Sequence, residues 1–161
     1  MKIITLSQGQ ATEVDDWKFD GLNCHKWRAW KNPRNGDFYA RRNIKTEKGY
    51  RQIIMHREIM NCPKGMIIDH INFNTLDNRE SNLRVCTYSE SSMHRRKQSG
   101  CSSQYIGVYW HKKNGKWIAY IVVNKKPIHL GCFDKENDAG RAYNVAALKY
   151  FGEFAELNVI C

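Results

Sequence analysis

The sequence predicts an α+β protein in two parts: a ββα unit with a β-rich N-terminal extension, then a three-stranded antiparallel sheet packed on one helix. Three observations carry this. The stretch Gly65–Val85 reads as an apolar strand, a long polar loop and a second strand, and Thr87-x-x-Glu90 behind it has the form of a helix capping box. Three apolar runs, YIGVYW, WIAYIVV and IHLGCF, are separated only by short turn segments. After them Ala139, Ala142, Tyr143, Ala146, Ala147 and Tyr150 recur at helical spacing.

Taken in order, KIITL (2–6) reads as a strand and SQGQ as a turn. A short helix follows Asp15-Asp16 and runs through Trp17, Phe19, Leu22 and Trp27, its acidic start suiting the positive end of the helix dipole. WRAWKN and FYARRNI flank PRNGD, where Asn35-Gly36 predicts a hairpin. GYRQIIM is another strand. MHREIM (55–60) is a short helix, closed before the turn at Pro63-Lys64-Gly65. The helix after the second strand of the ββα unit is expected to carry Ser91, His94 and Arg95.

QSGCSS (98–103) reads as a small polar linker. Beyond it, Asn114-Gly115 predicts a primed hairpin turn and Pro127 the start of an edge strand. Asp134 is expected to cap the last helix and Gly152 to end it. Small alanines let that helix lie close on the sheet. The resulting division is 1–97, with a β-rich leader over 1–54 and the ββα unit over 55–97, then the linker 98–103, then 104–161.

The chain has 161 residues and a formal net charge of +10, which points to a polyanionic partner, nucleic acid first. The charge is unevenly spread. Between Glu90 and Asp134 there is no acidic residue, while Arg95, Arg96, Lys97, Lys112, Lys113, Lys116, Lys125 and Lys126 fall in that interval. Solvated surfaces usually mix both signs. No apolar run reaches the roughly 18–20 residues of a membrane span, so no membrane partner is expected. The apolar start of MKIITLSQGQ is too short for a signal peptide, and a cytoplasmic protein is expected. The six cysteines form no C-x-x-C pair, which argues against a zinc knuckle and for reduced thiols.

The chemistry concentrates where an apolar strand ends on Asp69-His70 and runs into a loop holding Asn72, Asn74, Asn78 and Asn82. A phosphodiesterase needs a polarised phosphate and an activated water. A carboxylate such as Asp69 offers a hard oxygen to a divalent cation, and a neutral histidine such as His70 takes a proton near pH 7. Asn78 or Asn82 can fix the imidazole or brace the loop. The plainer alternative is a chance Asp-His pair followed by an asparagine-rich turn region.

The run MHREIM, IIDHIN and NTLDNRESNLRVCTYSE resembles the HNH endonucleases of the phage and intron-encoded homing type over residues 55–97. The resemblance implies the ββα-metal fold, DNA phosphodiester hydrolysis, and a divalent metal, Mg²⁺ with Mn²⁺ open. It implies Asp69 as metal ligand, His70 as general base, and Asn82 as the residue that orients the base or braces the motif. His56 belongs to the same block, as packing or as a phosphate contact. The family's last ligand, an asparagine or histidine on the following helix, falls on Ser91 here. His94 is expected one helical turn later, where it substitutes as a ligand, contacts phosphate or faces solvent. That departure keeps a second reading open, a catalytically impaired HNH protein that binds DNA.

Residues 104–159 resemble the Apetala/ethylene-response-factor DNA-binding domain through Tyr105-x-Gly107-Val108, Gly115-Lys116-Trp117, Leu130-Gly131-x-Phe133, Ala142-Tyr143, Ala146-Ala147 and Leu157-Asn158. The resemblance implies double-stranded DNA as partner, read by the outer sheet face, where Ile106, Tyr109, His111, Lys113, Tyr120, Val122 and His129 stand. Trp117, Ala119 and Ile121 would face the helix. Lys112, Lys113, Lys116, Lys125 and Lys126 would hold phosphates, and Arg95, Arg96 and Lys97 would track the backbone. Together the resemblances imply a site-specific phage- or intron-encoded DNA endonuclease acting in a bacterial host, with no small-molecule cofactor, as monomer or homodimer. An RNA-binding or scaffold protein is the remaining rival.

Overall fold

The computed structural model describes residues Met1–Cys161. Contacts divide the chain into two compact units, Met1–Tyr88 and Ser89–Cys161.

In the first unit, β1 (Lys2–Thr5) pairs antiparallel with β2 (Ala11–Val14), Thr5 opposite Ala11. The sequence reading has no strand at β2. It is only four residues long. Gln8 and Gly9 make the turn before it with positive φ of 61° and 67°. Next, α1 (Asp16–Asn23) ends before Trp27 instead of including it. The indole instead folds back into the core, its Nε1 donating to the Leu22 carbonyl at 2.8 Å.

Strands β3 (Arg28–Lys31), β4 (Phe38–Thr46) and β5 (Gly49–Ile54) form a meander in that order. The hairpin expected at Asn35-Gly36 is present as a longer loop over 32–37, closed by Asn32 N donating to Asp37 O at 2.8 Å. Alternation along β3 and β4 sends Ala29 and Ala40 into the core and Arg28, Trp30, Tyr39 and Arg41 to the opposite face. The short helix α2 (Met55–Ile59) plugs the core with Met55. Strands β6 (Ile67–His70) and β7 (Leu83–Cys86) pair antiparallel, Asp69 opposite Arg84 and His70 opposite Leu83, and α3 (Tyr88–Met93) follows. This is the expected ββα order. Because α3 stops at Met93, His94 and Arg95 lie beyond the helix and not on it.

In the second unit, β8 (Val108–His111), β9 (Lys116–Val123) and β10 (Lys126–Phe133) form an antiparallel sheet of order β10-β9-β8 with α4 (Glu136–Phe151) packed on it. Ala119 and Ile121 of β9 meet Ala139, Tyr143, Ala146 and Ala147 of α4, as the alanine stripe requires. Tyr150, assigned to that stripe, is instead exposed and Phe151 is buried, continuing the i+4 row from Tyr143 and Ala147. Gly107 is where the helix comes closest: φ is +71°, and a Cβ there would sit 2.2 Å from Tyr143 Cδ2.

Three further expectations change. The turn at Asn114-Gly115 is a four-residue loop over 112–115 in which only Gly115 has positive φ, so it is not a primed turn. The primed geometry belongs to Asn124-Lys125, with φ of 50° and 64°, between β9 and β10. Asp134 does not cap α4: Lys135 holds the N-cap position, and the Asp134 carboxylate pairs with Lys116. Gly152 ends α4 with φ of 53°, and Pro127 lies on the edge strand β10, both as expected. The stretch read as a linker is tied in at its end. Ser103 is buried and donates to Glu136 Oε1 at 2.7 Å, while Ser102 Oγ accepts from Trp110 N at 2.9 Å.

Candidate active site and nucleic-acid interface

His70 closes β6 and is 5 % exposed. Its Nε2 lies 3.3 Å from Asn78 Oδ1. Asn78 Nδ2 donates to Thr12 Oγ1 at 2.7 Å, and that hydroxyl donates to the Leu76 carbonyl at 2.7 Å. The chain of bonds has one consistent polarity. A carbonyl only accepts, so the Thr12 proton points to Leu76 and its oxygen accepts from the Asn78 amide NH₂. The Asn78 oxygen therefore faces His70, and Nε2 must carry the proton. Nδ1 is left as the basic nitrogen.

Backbone pairing holds the relay in register. Glu13 N donates to Leu76 O at 2.9 Å, and Asn78 N donates to Glu13 O at 2.8 Å, so β2 docks directly on the 76–78 loop. Asn82 does not touch the base. Its Oδ1 accepts from Asn72 N and its Nδ2 donates to Asp77 O, both at 2.8 Å, so of the two roles open to it, it braces the loop. Asp77, almost wholly buried, accepts from Arg79 Nε and Nη2 at 2.7 and 2.6 Å, and these bonds hold its carboxyl below the usual range.

Burial lowers the His70 pKa from its ordinary value, the Asn78 bond and Asp69 opposing it. The ring packs edge-on to His56 at 5.1 Å and to Tyr39 at 6.3 Å between centroids. His56 is buried as well, and desolvation takes its pKa down to about 3. It is therefore a packing residue, which decides between its two readings.

Asp69 is the next residue back on β6. Its Oδ2 accepts from Arg84 Nε at 2.8 Å and Nη2 at 2.7 Å across the strand pair. As a hard carboxylate it fits Mg²⁺ in kind, because that ion takes one or two protein carboxylates and fills its shell with water and phosphate oxygens. No cluster of three acidic, histidine or cysteine side chains stands ready to hold a metal.

In the second unit, Ser91 sits half-buried on α3. His94 does not face solvent. It is buried with Nε2 3.6 Å from Glu156 Oε2. Arg95, Arg96 and Lys97 line one cleft with Tyr105, Gly107 and Tyr120. Tyr120 meets Tyr109 edge-on at 5.8 Å and lies opposite His129, so these three share the outer sheet face. His111 Nδ1 accepts from Asn114 N at 3.3 Å and secures the loop that displays the exposed Lys112 and Lys113. Lys125 and Lys126 are exposed too. Two of the assigned positions differ. Lys116 is neutralised by Asp134, and Ile106 is buried in the core beside Tyr143.

Residues 56–93 match the HNH endonuclease family and residues 103–153 match the AP2 domain family. The chain carries an HNH endonuclease domain followed by an AP2 domain. The HNH match takes in Asp69, His70, Asn78, Asn82 and Ser91 but not Thr12, and the AP2 match takes in Tyr109, Tyr120 and His129 but not Arg95, Arg96 and Lys97.

Among curated proteins, the AP2-like ethylene-responsive transcription factor CRL5 of Oryza sativa subsp. japonica is 40% identical over 97 residues, 55% of this chain and 15% of its own length. The AP2-like ethylene-responsive transcription factor PLT2 of Arabidopsis thaliana is 44% identical over 69 residues, covering 40% of this chain and 12% of that protein. TOE2, of the same description and organism, is 39% identical over 66 residues, 41% of this chain and 14% of that protein. The chain thus spans a small fraction of these relatives.

Thr12 is the site residue the sequence reading missed. The available signal was the alternation Ala11-Thr12-Glu13-Val14, which puts two β-branched side chains on one face just after a glycine turn. No helix is long and apolar enough to cross a membrane.

Proposed function

We propose that the protein is a site-specific, metal-dependent DNA endonuclease of the homing type, with His70 as general base. The supporting observation is the relay Thr12–Asn78–His70, which places the proton on Nε2 and leaves Nδ1 to accept one from water. Desolvation keeps that imidazole neutral near pH 7. Asp69 would hold the divalent ion, Mg²⁺ or Mn²⁺. When bound, such an ion polarises the phosphate and stabilises the leaving oxygen. The AP2 domain places the chain on double-stranded DNA. Tyr109, Tyr120 and His129 meet base edges, and Lys112, Lys113, Lys125, Lys126 and the Arg95–Lys97 run meet phosphates, with affinity that falls with salt. The homing class, and with it a phage or intron gene acting in the cytoplasm of a bacterial host, rests on the MHREIM, DHIN and LDNRESNLRVCT blocks.

The test is cleavage of plasmid and phage DNA with Mg²⁺ or Mn²⁺ by the parent and by His70→Ala. Cutting by the parent alone supports the proposal. One observation favours a second reading, DNA binding without cleavage: Arg84 already neutralises Asp69. Tight duplex binding with no cut in either metal selects that reading.

A further inference from the structure

A cleft of about 560 Å³ opens along β3 and β4, lined by Lys26, Arg28, Trp30, Arg41 and Arg42 among others and by no carboxylate. Arg42 is already satisfied, since its guanidinium grips Glu58 at 2.9–3.2 Å. Arg28 and Arg41 are not. They stand directly opposite each other on antiparallel strands, an arrangement of like charges that costs stability. The contacts of Arg41 are to neutral groups, Gln52 Oε1 at 2.9 Å and the Trp30 ring at 4.9 Å, so its charge stays uncompensated. A folded protein that sets two arginines face to face beside a lysine, in a concave site without an acid, is arranged for an anion.

The position of the cleft narrows the anion's identity. Trp30 is 6.1 Å from Tyr39, and Tyr39 is 6.3 Å from His70. Two ring-to-ring steps, from the β3–β4 sheet to the end of β6, therefore join the cleft to the base. That span matches a few nucleotides of a strand whose phosphates rise ~3.4 Å each. We propose that the β3–β4 cleft is a second backbone site, in which Lys26, Arg28 and Arg41 hold phosphodiesters flanking the one attacked by the water that His70 deprotonates. The inference rests on duplex DNA being the substrate. It adds to the AP2 contacts a grip next to the cut.

The test uses the full chain and a 30-bp duplex carrying a sequence the parent binds. Each phosphate contact contributes about 0.9 to the slope of log K against log salt. Arg28→Gln with Arg41→Gln is expected to flatten that slope by about 1.8 and to weaken binding at least tenfold at low salt. The double variant should unfold at the parent's temperature or above it, because a repulsive cross-strand pair has gone; this separates lost contacts from lost fold. In the parent, DNA should shield Lys26 from acylation in a mass-spectrometric footprint. An unchanged slope together with an unshielded Lys26 overturns the proposal while leaving the endonuclease reading intact. Failure of the parent to bind any duplex overturns both. Shielding by inorganic phosphate but not by duplex would make the cleft a small-anion site, and also overturns the proposal.

Discussion

Replacing Thr12 by valine keeps the shape of a fully buried side chain and removes one hydroxyl. Two hydrogen bonds go with it. The Leu76 carbonyl keeps its bond from Glu13 N at 2.9 Å, but Asn78 Nδ2 loses its acceptor in a site where Asn78 is 1 % exposed. An orphaned buried donor costs about 1–3 kcal/mol, and at ~4–8 °C per kcal/mol for a domain of this size the first unit should melt roughly 5–20 °C lower. The catalytic effect is separate. Freed from Thr12, the Asn78 amide can turn over and offer its NH₂ to Nε2, which moves the imidazole proton to Nδ1 and blocks the base. A net hydrogen bond is worth about 0.5–1.5 kcal/mol, so the competent tautomer should fall roughly 2- to 13-fold, and kcat with it. KM should hold, because Thr12 does not reach the substrate. Single-turnover nicking well below the melting transition measures the rate, and ¹⁵N shifts of His70 measure the tautomer. Thr12→Ser, which keeps the hydroxyl, should behave like the parent. A folded Thr12→Val protein with parental kcat and the proton still on Nε2 would refute the relay.

Other outcomes follow from the same geometry. Because burial lowers the His70 pKa, the acid limb of kcat/KM should lie below pH 6.5, and Asn78→Leu, which deletes a bond that raises that pKa, should move the limb lower still; a pH–rate profile reads both. His56, with a folded pKa of about 3 against 6.5 unfolded, takes up its proton first in the unfolded state. Its stabilising contribution is complete above pH 6.5 and is lost on acidification toward pH 3, by up to about 1.4 kcal/mol per pH unit; denaturant titrations should show this slope reduced in His56→Phe. Arg84→Gln frees the Asp69 carboxylate from its guanidinium and should tighten Mn²⁺ binding several-fold by calorimetry. Lys125 has a φ of 64° in a primed turn, so Lys125→Gly should raise stability by about 1 kcal/mol in thermal melts. Gly107→Ala must push a methyl against Tyr143 and the Tyr120 carbonyl and should lower stability by several kcal/mol, on the order of a strongly overpacked core site.

The elements read best from sequence were those with a strong local rule. The alanine stripe of α4, the glycine that ends it and the strand–loop–strand around Asp69-His70 needed no tertiary information. The misreadings came where two local rules competed. Asn114-Gly115 has the favoured primed-turn composition, yet the strand register leaves four residues in that loop, and the primed turn fell to Asn124-Lys125. Asp134 is a good capping residue, but α4 starts one residue too late for it, at Glu136 with Lys135 as N-cap, and Asp134 pairs with Lys116. At the site, the Asp-His pair was legible because the two chemistries sit side by side in the chain. Which asparagine holds the base was not. Asn78 and Asn82 are equally placed by composition, and the choice is made by Thr12, 66 residues upstream of Asn78.

That separation bears on how such a nuclease can be moved between proteins. The stretch that matches the HNH family begins at His56, yet the polarity of the His70 imidazole is set by a hairpin more than forty residues before that start. Grafted alone onto a new DNA reader, residues 56–93 would keep every signature side chain and lose the group that decides which ring nitrogen is bare. A working transplant must bring the opening hairpin along, or supply a hydroxyl of equal reach from its new host.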